Sequence, residues 1–409
     1  MTQELRRTLG VFDAVVIGLG SMLGAGIFAA LGPAARAAGT GLLPALAAAA
    51  LVAYCNALSS ARLAARHPES GGAYVYGRER LGPFWGYLAG WAFIAGKTAS
   101  CAAMALTAGA YLWPERAHAV AVAAVVALTA VNYRGVRTSA LLTRVIVAAV
   151  LAVLAAVVTV SFGAGRAELL GLDQDVRSGG VLQAAGLLFF AFAGYARIAT
   201  LGEEVRDPAR TIPRAVPVAL GIALAVYAAV AVGALAVLGS PGLADSAAPL
   251  ADVARAAGAP ALVPFVAVGA ALAALGALLS LILGVSRTTL AMARDGYLPA
   301  PLAAVHPRFG VPHHAELAVG AVVAAVAATG DVRAAIGFSS FAVLAYYGVA
   351  NAAAWTLGPR ERPLAALGLL GCGVLAFALP MGAVLAGVGL LAAGTVAYAV
   401  VGAVRRTRP

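Results

Sequence analysis

The sequence has few charged residues. Aspartate, glutamate, lysine and arginine make up 11% of its 409 residues, whereas soluble domains carry about 25%. Lys97 is the only lysine, so the positive charge comes almost entirely from arginine. Hydrophobic residues account for 62% of the chain. This shortage of charge excludes an ordinary soluble domain and indicates a protein with several membrane-spanning segments.

Cysteine is also scarce. The three cysteines, Cys55, Cys101 and Cys372, lie in apolar segments without the spacing of disulfides or metal ligands. No apolar segment contains a cluster of histidine, aspartate or glutamate able to carry acid–base or metal chemistry. We therefore expect no metal, no cofactor and no enzymatic activity. No stretch has the pattern of a cleavable signal peptide either.

Twelve apolar segments are long enough to cross a hydrocarbon core of about 30 Å. Their predicted bounds are about 12–36, 42–64, 84–112, 117–133, 140–163, 181–201, 214–238, 262–288, 313–329, 332–357, 364–381 and 383–403. The last two form one apolar run, which we expect to turn at Pro380 and Gly382. The prediction is an all-α membrane protein of about twelve transmembrane helices in a single domain, residues 1–409.

The distribution of arginine predicts the orientation. With the N-terminus inside, twenty arginines fall in cytoplasmic segments and six in outer segments. This bias follows the positive-inside rule and predicts a multi-pass protein of the cell membrane, with both termini in the cytoplasm. The bias also accounts for the net charge of +11, so we expect no nucleic-acid partner. Lys97, midway along the third span, and Arg197, near the end of the sixth, are the exceptions.

The first span contains a glycine-rich stretch, residues 18–28 (GLGSMLGAGIF). Four glycines within nine residues weaken a helix, at roughly 1 kcal/mol each relative to alanine. In lipid, backbone groups freed from the helix need other partners. We predict that the chain unwinds around residues 24–26 and that the freed groups bind a ligand. Close helix packing of Gly20 and Gly24 is the alternative, and the spacing does not fit a dinucleotide fingerprint.

A second weak point lies in the sixth span, at residues 189–195 (FFAFAGY). Transporters with inverted repeats have such breaks at corresponding positions of their two halves. The first and sixth spans each begin a run of five spans. We therefore predict repeats at about 12–163 and 181–357, followed by two extra helices at about 364–403. Simple packing of a phenylalanine-rich span is the alternative.

These motifs resemble those of the amino acid–polyamine–organocation transporter superfamily, the amino acid permeases. The resemblance covers about residues 10–300, in the family's order. Besides the two glycine-broken stretches, it rests on residues 68–74 (PESGGAY), 132–137 (NYRGVR), 203–208 (EEVRDP), 286–287 (SR) and 292–299 (MARDGYLP). It implies ten core helices in two inverted repeats, alternating access, and an amino acid or related amine-bearing solute as substrate.

The resemblance also implies a binding site at the two breaks. The substrate carboxylate would bind backbone N–H groups at the first break, since a half-helix N-terminus favours an anion. The α-ammonium would bind free carbonyls from both breaks, and Phe190 would form an aromatic lid or, alternatively, only pack in the core. The implied substrate-binding residues are Ile17, Ser21, Met22, Gly24, Ala25, Gly26, Ile27, Phe189, Phe190 and Ala191.

Coupling is where the sequence departs from the family. Val150 stands where many proton-linked members have a lysine in the fifth span. A sodium site would need oxygen ligands from the first and eighth spans, and Ser280 and Ser286 are the nearest such residues. The sequence therefore lacks the usual coupling lysine of the family.

Lys97 is expected to have a functional role, because a charge near the bilayer centre costs at least roughly 2.5 kcal/mol and is seldom placed there otherwise. In related antiporters this part of the third span lines the substrate pocket, so we include Cys101 with Lys97. Three interpretations of Lys97 stay open: a titrating group in coupling, a counter-charge for an acidic substrate, or a structural residue. Arg197 either pairs with Glu203 or Glu204 as an inner gate or extends toward the cytoplasm.

The leading hypothesis is a secondary transporter for an amino acid or a related amine-bearing solute. A proton, sodium or exchange of solutes would drive it, and the lipid bilayer is its environment. The alternative is a sensor or channel with a transporter fold, which binds its ligand without coupled transport.

Overall fold

The computed structural model describes residues 9–67, 71–135, 140–170, 178–199 and 205–407. Within these ranges the chain is built of α-helices joined by short turns. The helices are α1 (Val11–Met22), α2 (Ala25–Ala29), α3 (Leu31–Ala38), α4 (Leu42–Arg66), α5 (Ala73–Leu81), α6 (Pro83–Leu112), α7 (Ala117–Tyr133), α8 (Ala140–Ala164), α9 (Ser178–Phe192), α10 (Ala196–Ala199), α11 (Pro208–Asp245), α12 (Pro249–Ala256), α13 (Val263–Arg294), α14 (His313–Thr329), α15 (Val332–Trp355), α16 (Arg362–Ala378) and α17 (Met381–Thr407).

These helices confirm the predicted all-α membrane architecture. Nine helical segments of the described chain are long and apolar enough to cross a membrane, and α14 and α16 are shorter apolar helices. Together with α6, they correspond to the twelve predicted spans. The helices α7 and α14 have the predicted bounds. The turn between α16 and α17 falls at residues 379–380 and so includes the predicted Pro380, whereas Gly382 lies in α17.

The helices α11 and α13 are among those that are longer than their predicted spans. The seventh span was predicted at 214–238, whereas α11 is Pro208–Asp245 and is kinked at Gly239, which has a φ of 64°. The eighth was predicted at 262–288, whereas α13 continues to Arg294. Apolar composition marks only the part of a helix that lies in the hydrocarbon, and both helices extend beyond it into polar sequence.

The helix α6 lies at the centre of the bundle and packs against α13 and α15. By contrast, α16 and α17 lie at the periphery, where Phe377 and Met381 are 68% and 71% exposed. Large apolar side chains exposed on membrane helices meet lipid rather than water. The assignment of α16 and α17 as two extra helices and the division into repeats at 12–163 and 181–357 both stay predictions.

Candidate functional site

The first membrane span is broken, as the glycine-rich stretch predicts. The helix α1 ends at Met22, Gly24 has an extended ψ of −147°, and α2 begins at Ala25. Ala30 keeps helical angles, so the chain stays helical from α2 to the end of α3 at Ala38. The break therefore creates a helix that begins inside the bundle, and its first N–H groups have no partner within that helix.

The sixth span is broken in a different way. The helix α9 ends at Phe192, a 3₁₀ turn covers Ala193–Tyr195, and α10 follows over Ala196–Ala199. The interruption predicted at residues 191–195 is present as this 3₁₀ turn, while Ala191 and Phe192 remain in α9. Both discontinuous helices of the predicted fold are thus present.

The two breaks cross in direct contact. A Cβ atom placed on Gly194 would lie 2.3 Å from the carbonyl oxygen of Ser21. A Cβ atom on Gly26 would lie 2.4 Å from the Cα atom of Ala191. Each break therefore contributes a glycine without which the other break could not approach so closely. A Cβ atom on Gly24 would lie 2.9 Å from the Cβ of Ala277, so close packing and unwinding occur together here.

A tyrosine from α11 joins the two breaks. The Tyr227 hydroxyl donates to the Met22 carbonyl and lies 3.0 Å from the carbonyl of Ala191. Tyr227 is completely buried. Tyr227 was not among the predicted site residues. Its signal in the sequence is a lone tyrosine inside an apolar span, because a buried hydroxyl needs a polar partner.

A small cavity of about 140 Å³ lies at the crossing. This is smaller than the roughly 300–1,000 Å³ of pockets for drug-sized ligands, so the cavity suits a small solute. Ten of the predicted residues line it: Ser21, Met22, Gly24, Ala25, Gly26, Lys97, Phe190, Ala191, Arg197 and Ser280. The structure thus gathers most of the predicted site from four membrane spans, the first, third, sixth and eighth.

Five predicted residues do not line this cavity. Ile27, Phe189 and Ser286 are buried in the surrounding packing, and Ile17 is partly buried against the core. Cys101 packs in a separate apolar cluster that includes Ala25. Glu203 and Glu204, the predicted partners of Arg197, lie outside the described residues.

Lys97 reaches the cavity from the middle of α6. It is 6% exposed, and its Nζ atom donates to the carbonyl oxygen of Ala193 at 3.2 Å. Ala193 begins the 3₁₀ turn of the second break. The lysine thus links the centre of the bundle to the broken part of the sixth span.

A polar side chamber of about 40 Å³ adjoins the cavity and shares Arg197, Ser280 and Arg287 with it. Asn132 lines the chamber and donates to the carbonyl of Leu279 at 3.1 Å. Arg287 is exposed, so this end of the cavity approaches the surface. Arg287 also acts electrostatically on Glu316, a buried residue of α14 that the sequence analysis overlooked.

Two of the sequence motifs meet beside this end of the cavity. Tyr74, on the short helix α5, donates a hydrogen bond to the Asp295 carboxylate at the end of α13, and Arg78 pairs with the same carboxylate at 3.1 Å. Burial and the hydrogen bond to Asp295 raise the pKa of Tyr74 well above its ordinary value. The Tyr346 hydroxyl, which lines the cavity, accepts a hydrogen bond from the N–H of Ala73 at 2.9 Å. The α5 segment is therefore tied to both α13 and α15.

Comparison with known proteins agrees with this geometry. The sequence profile of the family described as amino acid permease matches residues 9–407. The chain belongs to the amino acid permease family. The family resemblance found in the motifs is thus confirmed.

Relatives of this permease are named as transporters. It is 69% identical over 409 residues to an uncharacterized transporter of Mycobacterium tuberculosis, covering 98% of this chain and 93% of the relative. It is 27% identical over 346 residues to the branched-chain amino acid permease BcaP of Bacillus subtilis, covering 79% and 74%. It is 28% identical over 375 residues to cationic amino acid transporter 4 of Homo sapiens, covering 85% and 59%. The permease is therefore a multi-pass membrane transporter of the amino acid permease type.

The opposite end of the permease is closed around the half-helix that follows the first break. The Tyr111 hydroxyl donates to the Phe28 carbonyl at 2.9 Å and accepts from the N–H of Leu250 at 3.2 Å. The Tyr111 and Phe28 rings also pack edge to face, with centroids 5.7 Å apart. These contacts fasten α2 and α12 to α6 at that end of the bundle.

Proposed function

We propose that this permease is a secondary active transporter of amino acids or related amine-bearing solutes, working by alternating access. The observation that carries the proposal is the crossing of two broken helices around a cavity of small-solute size. Broken helices at a repeat interface supply unpaired backbone groups to a substrate near the membrane midplane. An apolar bundle otherwise offers few polar groups for an amino acid.

The first break would bind the substrate carboxylate. Gly24, Ala25 and Gly26 line the cavity at the beginning of a helix that extends to Ala38. The first N–H groups of a helix lack intrahelical partners and carry the positive end of its dipole. A carboxylate at this point would satisfy those groups without any arginine or lysine.

The second break would help to bind the ammonium group. The Ala191 carbonyl faces the crossing together with that of Met22, and both already interact with the Tyr227 hydroxyl. Each carbonyl oxygen has two lone pairs and can accept a second hydrogen bond. Phe190, which is 7% exposed and lines the cavity, would cover the bound solute as the family resemblance implies.

Alternating access is supported by the difference between the two ends of the cavity. One end is closed by the Tyr111 contacts, whereas the other approaches the surface at the exposed Arg287. Arginine placement predicts that the Arg287 end is cytoplasmic, and we propose this orientation in the cell membrane, with both termini inside. The conformation would then be one that faces the cytoplasm.

We propose that transport is coupled to a proton, to sodium or to exchange of solutes. This coupling does not use the lysine that many family members have in the fifth span. Val150, at that position, is buried. The Ser280 and Ser286 hydroxyls donate to the carbonyls of Gly276 and Ile282 in their own helix, and only Ser280 lines the cavity. Of the two proposed sodium ligands, Ser280 is therefore the better placed.

The test is uptake of radiolabelled amino acids into liposomes that contain the purified full-length protein. Saturable uptake that responds to a proton gradient, a sodium gradient or an amino acid loaded inside would support the proposal and identify the coupling. Binding without any flux would support the alternative of a sensor. Flux that never saturates would indicate a channel.

A further inference from the structure

The cavity has fewer available hydrogen-bond acceptors than donors. Three carbonyl oxygens from the breaks, those of Met22, Ala191 and Ala193, already interact with side chains of the protein itself. The donors are Tyr227 for the first two and Lys97 for the third. A cationic side chain, in addition to the substrate's α-ammonium, would have to share these acceptors, and the Lys97 ammonium would repel it.

Donors, by contrast, are in excess. The Lys97 ammonium carries three N–H donors, and its described hydrogen bond is the one to Ala193. The N-terminus of α2 contributes the positive end of a helix dipole from another wall of the same cavity. The cavity therefore presents two separate places that attract negative charge, and a carboxylate at α2 would occupy only one of them.

The charged side chains have the same sign. Lys97, Arg197 and Arg287 line the cavity, and its lining includes no aspartate or glutamate in the part of the chain that the structure describes. Arg287 is partly compensated, because it also acts on Glu316. Lys97 is in no described ion pair, and a buried charge without a counter-charge is costly. Lys97 is therefore the positive charge of the cavity that a second anionic group of the substrate would neutralise.

We propose that the substrate is an amine-bearing acid with a second anionic group, of the dicarboxylic amino acid class, and that Lys97 is the counter-charge for that group. The inference rests on the proposed transport function and names its substrate class. The cavity of about 140 Å³ limits the solute to a short chain. With the first carboxylate at α2 and the second at Lys97, a single small solute would satisfy both positive regions.

The experiment measures dissociation constants of the purified full-length protein by isothermal titration calorimetry. The probes are L-aspartate and L-glutamate, each paired with its uncharged analogue, L-asparagine or L-glutamine. Each pair matches in size and differs by one charge. We expect each acid to bind on the order of tenfold or more tightly than its amide, since a hydrogen bond to a charged group stabilises more than a neutral one.

Lys97→Gln should reduce this acid-to-amide ratio to about one, because the amide side chain keeps a donor and loses the charge. A lysine that serves only structure would weaken binding of acid and amide equally and leave the ratio unchanged. Arg116→Gln is the matched control, since it removes one positive charge from an exposed turn directly after α6. This control should keep the wild-type ratio.

The wild-type measurement decides the proposal even if the Lys97 variant does not fold. Amides that bind as tightly as acids, or more tightly, would overturn the inference while leaving amino acid transport intact. If none of the four solutes binds, the inference is likewise wrong. The liposome uptake assay with the other amino acids then judges the proposed function separately.

Discussion

The two helix breaks that form the cavity differ in what they offer a ligand. The first is abrupt, with the extended residue Gly24 followed at once by a new helix, so it presents N–H donors. The second passes through the 3₁₀ turn Ala193–Tyr195 and presents the carbonyls of Ala191 and Ala193. The first break therefore contributes donors and the second acceptors, and the proposed amino acid site rests on this difference.

The comparison also shows why the two breaks depend on each other. Neither break is stabilised by its own segment alone, because the backbone groups at a break have lost their hydrogen-bond partners within the helix. Gly26 packs on Ala191, and Gly194 packs on Ser21. Tyr227 then interacts with one carbonyl from each side. Substitutions at these contacts should disturb both breaks together.

The largest effect is expected from Gly26→Ala. Its added methyl group would lie 2.4 Å from the Cα atom of Ala191, where the obstacle is backbone rather than a flexible side chain. Overpacking of this kind typically lowers the free energy of unfolding by about 1–3 kcal/mol. We also expect transport in the liposome assay to fall by roughly tenfold, because the added methyl group would displace backbone groups that are proposed to bind the substrate, and about 1.4 kcal/mol of lost binding corresponds to that factor.

Gly221→Ala is the control for this substitution. Gly221 lies in α11, and a Cβ atom there would meet nothing within 4 Å. The control should keep transport and thermal stability, or gain slightly, since alanine favours a helix. Normal transport by Gly26→Ala would show that the two breaks do not need this close approach.

A smaller effect on transport is expected from Tyr227→Phe, which removes the hydroxyl shared by the two breaks and keeps the ring. The carbonyls of Met22 and Ala191 would lose a buried donor, which costs about 1–3 kcal/mol. Thermal unfolding of the purified protein should show this loss as a lower midpoint. Substrate should restore part of the stability, because the proposed ammonium group donates to the same carbonyls.

Tyr87→Phe provides the comparison for Tyr227→Phe. Tyr87 is also completely buried, and its hydroxyl has no hydrogen-bond partner within the described ranges. Removing that hydroxyl should leave the unfolding midpoint unchanged or raise it. Equal destabilisation by the two variants would mean that the bond between the breaks contributes nothing of its own.

A third effect, smaller again, concerns the half-helix after the first break. Tyr111→Phe removes the bond to the Phe28 carbonyl and the acceptor for the Leu250 N–H, while the ring contact with Phe28 remains. A typical net hydrogen bond contributes about 0.5–1.5 kcal/mol, so the closed end should open more often. Faster thiol labelling of a cysteine introduced as Ser100→Cys, in the cavity, would report that opening. Unchanged labelling would exclude Tyr111 as part of the closure.

The sequence predicted the spans and both breaks because each depends on local chemistry. Apolar runs with polar ends bound the helices, and a glycine such as Gly24 weakens a helix wherever it packs. The partners of the breaks could not be predicted in this way. Tyr227 is remote in sequence from Met22 and Ala191, and only the packing of α11 against both spans brings it there.

Residues on one helix illustrate the same limit. Ser280 and Ser286 both lie on α13, yet only Ser280 lines the cavity. Cys101 follows Lys97 by about one helical turn, but it packs in an apolar cluster with Ala25 instead of lining the cavity. Helical periodicity gives relative directions around a helix, whereas which direction faces the substrate depends on the neighbouring helices.

The smallest effect is expected where the same half-helix reaches the surface. Arg36, in the last turn of α3, pairs with Asp245 at 3.0 Å, and their side chains are 50% and 82% exposed. Arg36→Gln should change the free energy of unfolding by at most about 0.5 kcal/mol, since exposed ion pairs are weak and screened by salt. The Ala244 carbonyl, to which Arg36 also donates, keeps Arg333 as a second donor.

Unfolding midpoints in low and high salt would separate this pair from the buried contacts. The small difference between wild type and Arg36→Gln should vanish in high salt, whereas the loss in Tyr111→Phe should persist because buried hydrogen bonds are not screened. If Arg36→Gln instead destabilised the protein as much as Tyr227→Phe, the half-helix would be held from its outer end. The ion pair, and not the crossing of the two breaks, would then position the half-helix.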